Sequence, residues 1–274
     1  MFRLRSHDSL SQPRPHGRHA GPEERGGVMV ALPKIEDQDA TPAPLHPRVA
    51  QEYDCTNYIY FDIETIPDQS EKARDRCRAE VKPPANIKKA ESIETWMAEN
   101  AEKAARDMLA KTSFDGGAGH VCTIGWATND GPVRVEHAET VSDEAGVLDA
   151  FFRALPRRDV TIVGHNIIGF DIPFLLKRAV VLGVELPSEW SFPRDPKPWS
   201  KGAFDTMFAW AGVRDRISMN RLCGILGIVG KTDFDGSMVA DAWAEGQHLT
   251  IATYCDDDVR RTRAIHQKFL QAGF

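Results

Sequence analysis

A chain of 274 residues, 42% hydrophobic and 27% charged, suits one large domain or one domain with appendages. Its formal charge of −6 argues against a protein that coats nucleic acid by bulk positive charge, though not against an enzyme that holds a strand end through metal ions. The five cysteines form no Cys-x-x-Cys pair, and no apolar run approaches the roughly 18 residues a bilayer span needs, which sets aside zinc ribbons, secreted disulfide scaffolds and membrane-spanning helices.

Residues 1–50 are rich in Pro, Gly, His and charge and carry no helical or strand period, the composition of a disordered leader. Arg3 and Arg5 have no apolar segment behind them, so no secretory signal is expected; Met29, just after Gly26-Gly27, is a candidate start. Reduced thiols, a cytoplasmic location and no membrane contact follow as expectations. Order is expected from near Asn57, in one domain over residues 55–274. Tyr58–Ile63 is a short apolar run of β-forming residues, a buried strand. A polar stretch follows Pro67. After Pro83-Pro84, apolar residues Ile93, Trp96, Met97, Ala101, Ala104, Met108 and Leu109 recur at three- and four-residue spacing and predict a helix over 92–110. Residues 67–119 therefore read as an insert with helical content after the first strand.

A strand over His120–Thr128 and another over Val133–Ala138 flank Asn129-Asp-Gly-Pro132, the turn chemistry of a hairpin. Ser142-Asp-Glu144 opens a helix with the apolar stripe Val147, Leu148, Phe151, Phe152 and Leu155. Val160–Val163 is a further buried strand, and a helix runs from Asp171 to about Leu182. Ala203–Trp210 fits strand or helix, and the last third predicts helices over 218–226, 237–244 and 250–270. A hairpin, then strand–helix alternation, then a helical tail make a mixed sheet packed between helices.

Three separated acidic patches carry the chemistry. Strand alternation puts Asp62 and Glu64 of Tyr60-Phe-Asp-Ile-Glu-Thr65 on one face, with Phe61 and Ile63 turned to the core. Two buried carboxylates side by side call for a cation between them; an edge strand with a wet polar face is the bland alternative. Asp171 follows a strand and the turn Gly164-His-Asn-Ile-Ile-Gly-Phe170, and precedes Pro173. That is a normal helix start, but it lies at the carboxyl end of a strand, where α/β folds place ligands. Tyr254 and Asp258 share one helical face in Tyr254-Cys-Asp-Asp-Asp258, whereas Asp256 and Asp257 point elsewhere and read as solvated surface.

Taken in order, these patches resemble the three exonuclease motifs of the DEDD superfamily in its tyrosine-bearing branch, DEDDy. Asn166 five residues before Asp171, with Phe170 just before the acid, is similar to the proofreading exonuclease domain of family-B DNA polymerases. The resemblance spans about residues 57–270, leaving no room for a polymerase domain, so the chain resembles a stand-alone 3′–5′ exonuclease. It implies an α/β, RNase H-like mixed five-stranded sheet flanked by helices. It implies that Asp62, Glu64, Asp171 and Asp258 bind two Mg²⁺ or Mn²⁺ ions roughly 3.5–4 Å apart, one activating a water and one stabilising the leaving 3′-oxygen. Tyr254 would orient the water. Thr65, the Ile63 backbone, Asn166 and Phe170 would contact the terminal nucleotides of a DNA 3′ end, with nucleoside 5′-monophosphates as products.

Weaker signals are set beside these. Gly230-Lys-Thr232 lacks the glycine a phosphate loop needs, Ile225 standing in its place, and follows a helix rather than a strand. Asp205 reads as a further carboxylate near the metals or as a turn acid. Lys82, Lys88 and Lys89 grip phosphates or are merely solvated. His120 and His165 read as structural. The alternatives to a deoxyribonuclease are a 3′–5′ exoribonuclease and a catalytically idle RNase H-like module that binds nucleic acid or a protein.

Overall fold

The computed structural model describes residues 44–45, 57–230 and 233–274. The expectations for the leader and Met29, and the Lys231-Thr232 pair, lie outside those residues. Five strands form one sheet: β1 (Asn57–Ile66), β2 (His120–Thr128), β3 (Arg134–His137), β4 (Val160–Gly164) and β5 (Ala203–Asp205). Their order is β3-β2-β1-β4-β5, with β2 and β3 antiparallel additions and β4 and β5 parallel to β1. This is the mixed, RNase H-like sheet expected. It corrects the bland reading of the first acidic patch, because β1 is the central strand and has no wet edge.

Alternation along β1 assigns its two faces. Ile59, Phe61 and Ile63 enter the main core with Phe151 and Phe152 of α3 (Glu144–Ala154) and Ile172 and Leu175 of α4 (Asp171–Leu182). Phe192 fills the same core and meets Phe61, Phe151 and Phe152 edge-on. Tyr58 and Tyr60 face the other way, onto Val259 and His266 of the long C-terminal helix α8 (His248–Ala272). Burial pushes His266 down to about 3, so its ring is neutral where it hydrogen-bonds the Tyr60 hydroxyl at 3.1 Å.

Between β1 and β2 lie α1 (Glu71–Glu80) and α2 (Ala90–Ala110), followed by the 3₁₀ turn Lys111–Phe114. The predicted stripe of α2 packs Trp96, Met97, Ala101, Ala104, Met108 and Leu109 around Cys77 and Val81. Helix α1 corrects the polar stretch expected there. Ser70 caps it by accepting from the Ala73 N–H, but only Ala73 and Cys77 are buried, too little to leave an apolar period in the sequence. The ambiguous segment 203–210 proves to be both structures: β5, then α5 (Thr206–Ala211), with Asp205 capping the switch through the N–H groups of Met207 and Phe208. The tail adds α6 (Met219–Leu226), capped by Ser218, and α7 (Val239–Ala244) ahead of α8.

A buried ion pair locks the opening of β2. Burial would raise Glu144, but hydrogen bonds from His120, Arg178 and the Val121 N–H outweigh it and hold the carboxyl below its ordinary value. Because Arg178 sits on α4 and also reaches the Gly116 carbonyl, this cluster fixes the end of the insert against the helix that begins at Asp171. Both histidines read as structural are engaged within the fold, His120 with Glu144 and the His165 ring with the Thr206 hydroxyl and the Ile217 carbonyl, each at 2.9 Å.

Candidate active site

Asp62 and Glu64 lie on the α8 face of β1, and α8 can approach them because β2 carries Gly125 opposite Asp62. A Cβ on Gly125 would stand 3.0 Å from both Cys255 Sγ and Val259 Cγ2. The close approach brings Cys255 Sγ to 3.4 Å from the Asp62 carbonyl oxygen, and puts ligand atoms of Asp62, Glu64 and Cys255 within 4.8 Å of one another. We expect Gly125→Val to cost about 1–3 kcal/mol by overpacking, read as a lower urea midpoint with unchanged slope.

One turn of α8 carries the rest of that face. Tyr254 is buried and donates to Asp258, four residues on; burial first, then the charges of Asp258, Glu64 and Asp62, hold its hydroxyl well above its ordinary value. The phenol is therefore a donor, not a phenolate. Cys255 is likewise held up by burial and then by Asp62, Glu64 and Asp258, so it stands as a neutral thiol beside the acids.

Asp171 reaches the same strand from the other side. Pairing between β1 and β4 ends at Tyr60 and Val163, and beyond it the Asp171 carboxylate takes the Ile63 N–H, between Asp62 and Glu64. Burial, and after it the charge of Asp205, push Asp171 up to about 7. It does not join the group within 4.8 Å formed by Asp62, Glu64 and Cys255. Asp205 proves to be the turn's fastening: its carboxylate accepts from the N–H groups of Asn166 and Ile168, each at 3.0 Å, as well as from α5. That grip holds the loop that aims Asp171.

The pattern of acids on α8 differs from the sequence reading at one position. Asp256 is half-buried and pairs with Arg260 at 2.7 Å, but Asp257 is buried and not solvated. It faces Arg261, 1% exposed, whose Nη1 donates to Asp258 at 2.9 Å and whose Nη2 lies 3.6 Å from Asp257 and donates to the Gly230 carbonyl at 3.2 Å. A buried guanidinium thus sits behind Asp258. Sequence reasoning missed both Arg261 and Cys255, although their three-residue spacing from Asp258 on a helix was a signal for either.

The expected substrate contacts fall around this centre. Thr65 donates its hydroxyl to the Ser113 carbonyl at 2.8 Å, and Ile63 is a core residue with its N–H engaged by Asp171. Asn166 adopts φ of +70°, which Asn tolerates better than most residues, and its side-chain oxygen accepts from exposed Arg216 at 3.3 Å. Phe170 is half-buried against Phe174. Lys82, Lys88 and Lys89 are exposed.

Fold and site together define an α/β protein with an acidic, metal-competent centre on its central strand. Residues 118–272 match the family described as "Predicted 3'-5' exonuclease related to the exonuclease domain of PolB", and the chain belongs to that family. The matched stretch holds Asp171, Tyr254 and Asp258, and begins after the strand bearing Asp62 and Glu64. Among solved structures the chain is similar to the family B DNA polymerase of the hyperthermophilic archaeon Pyrobaculum calidifontis, with a TM-score of 0.49 and 21% identity, over 84% of this chain and 25% of that one. The chain thus spans about a quarter of the length of that polymerase. No curated protein matches. Among the described residues no helix is long and apolar enough to cross a membrane.

Proposed function

We propose that residues 55–274 form a DEDDy 3′–5′ exonuclease domain that hydrolyses the terminal phosphodiester bond of single-stranded or frayed DNA ends, releasing nucleoside 5′-monophosphates. The observation that carries this reading is the convergence of three separated patches on one strand. Asp62 and Glu64 share a face of β1, Asp171 meets its backbone at Ile63, and α8 lays Tyr254 and Asp258 over them. Buried cysteines outside any disulfide, at Cys77, Cys122, Cys223 and Cys255, suit a reducing cytoplasm.

The donor set fits hard divalent cations such as Mg²⁺ or Mn²⁺, because its charged atoms are carboxylate oxygens and the thiol beside them is held neutral. Asp62, Glu64, Asp171 and Asp258 would hold the ions. Two such ions supply a water of lowered pKa and charge stabilisation at the leaving oxygen. The chain's own residues do the rest. Tyr254, a neutral phenol at any working pH whose hydrogen goes to Asp258, orients the attacking water by accepting a hydrogen bond from it at the hydroxyl oxygen. Asp205 keeps the Asn166–Phe170 turn in place so that Asp171 meets the strand. Thr65, Asn166 and Phe170 position the terminal nucleotides, and the α8 helix excludes bulk water from the Glu64 side.

The test is a time course on 5′-labelled single-stranded DNA and a matched RNA with Mg²⁺, Mn²⁺ or EDTA. A metal-dependent ladder shortening from the DNA 3′ end supports the reading. Preference for the RNA would make it an exoribonuclease, and two intact substrates would leave a binding module. Protons also compete with the cations. Since the metal-free Asp171 is pushed up to about 7, metal affinity should rise by up to about tenfold per pH unit below that value and level off above it. Calorimetric titration of Mn²⁺ at pH 6 and 8, at each pH in buffers of different ionisation heat, should show proton release at the lower pH. A pH-independent affinity would remove Asp171 from the ligand set.

A further inference from the structure

Phe114 is a large apolar side chain left 73% exposed, and it lies ahead of the stretch that matches the family. Single exposed hydrophobics are ordinary. What sets this one apart is where it is and how firmly it is held. Trp190 and Trp199 are as exposed, but they belong to the connection between α4 and β5 and not to the turn that meets Phe170. Phe114 closes the 3₁₀ turn that ends the insert, and its ring meets Phe170 edge-on with centroids 6.4 Å apart.

The turn is fastened on both sides. Toward β1, Thr65 donates to the Ser113 carbonyl and the Asp68 N–H donates to the Thr112 hydroxyl, each at 2.8 Å. Thr65 directly follows Glu64, so this bond ties the turn to the strand that bears the acids. Toward α4, Gly116 runs so close that an added Cβ would lie 2.6 Å from the Phe174 carbonyl oxygen, and Lys177 Nζ pairs with Asp115 at 2.7 Å. Gly119 is equally confined, 2.5 Å from the Thr112 carbonyl oxygen by the same measure. The ring is therefore presented on a braced support rather than on a loose loop, as a preorganised binding group would be.

Resting on the exonuclease reading above, we infer that Phe114 is a specificity-determining residue of that site: with Phe170 it forms an aromatic bracket that stacks bases of an unpaired 3′ end. Every base offers a π-face, so the bracket accepts any sequence. Bases already stacked in a duplex cannot reach it, and the substrate class narrows to single strands and frayed ends. The insert thereby acquires a role, as the arm that delivers the second ring.

The experiment compares wild type, Phe114→Ala and Phe114→Trp on a single-stranded oligodeoxynucleotide with Mn²⁺, and on versions lacking one base at successive positions from the 3′ end. Stacking on one aromatic predicts a KM about tenfold higher for Phe114→Ala, a smaller change in kcat, and recovery in Phe114→Trp. At one abasic position the wild type should lose its advantage over Phe114→Ala. An active wild type whose Phe114→Ala variant keeps the same KM, or whose advantage survives at every abasic position, overturns the inference alone. A wild type that cleaves no oligonucleotide overturns the exonuclease reading itself.

Discussion

Asp62→Ala should lower the rate of 3′-end cleavage on the order of 10³-fold or more, because the charge stabilisation its cation supplies is worth several kcal/mol. The fold should survive. Asp62 is half-buried at the acidic end of β1, away from the core formed by Ile59, Phe61 and Ile63, and its loss relieves repulsion with Glu64. Melting in EDTA should therefore match or exceed the wild type, whereas Mn²⁺ should raise the wild-type midpoint and leave the variant's unmoved. Tyr254→Phe provides the graded comparison. It keeps every carboxylate and loses one hydrogen bond to a charged group, about 1.5–3 kcal/mol, or roughly 10- to 150-fold. Full activity of Asp62→Ala after chelation and reconstitution with Mn²⁺ would take the first patch out of the mechanism.

What the sequence revealed, and what it hid, follows from where the physical signal is local. β1, β2 and β4 are buried runs with turn residues at their ends, and α2 and α3 carry stripes at helical spacing, so each could be read alone. Helix α1 could not, because it buries only Ala73 and Cys77. In α8 the difficulty is opposite. Twelve of its residues are buried, including Asp257, Asp258 and Arg261, since it packs on the sheet and is covered by α6, α7 and the segment at Gly230. A helix enclosed this way shows no clean polar face, and Asp257 was therefore misplaced on the surface. The acids themselves were legible as spaced pairs on a strand and a helix. Their shared neighbourhood depends on Gly125 admitting α8 and on β4 ending its pairing at Tyr60, which are tertiary facts.

Arg261→Ala should be the most destabilising of the site variants. Removing one member of a buried ion pair costs about 3–5 kcal/mol, chiefly because the remaining charge is left in a poor environment. Here two carboxylates, Asp257 and Asp258, would be left facing the gap. For a domain of this size that corresponds to a melting point lower by roughly 6–20 °C in EDTA. The same geometry predicts a partial rescue. If Asp258 is a ligand, a divalent cation on its far side replaces part of the positive charge that Arg261 supplied, so the loss should shrink with saturating Mn²⁺, leaving the share due to Asp257. A loss of equal size with and without Mn²⁺ would separate Asp258 from the metal centre. A variant that melts with the wild type in EDTA would show that the guanidinium is not what holds this end of α8 together.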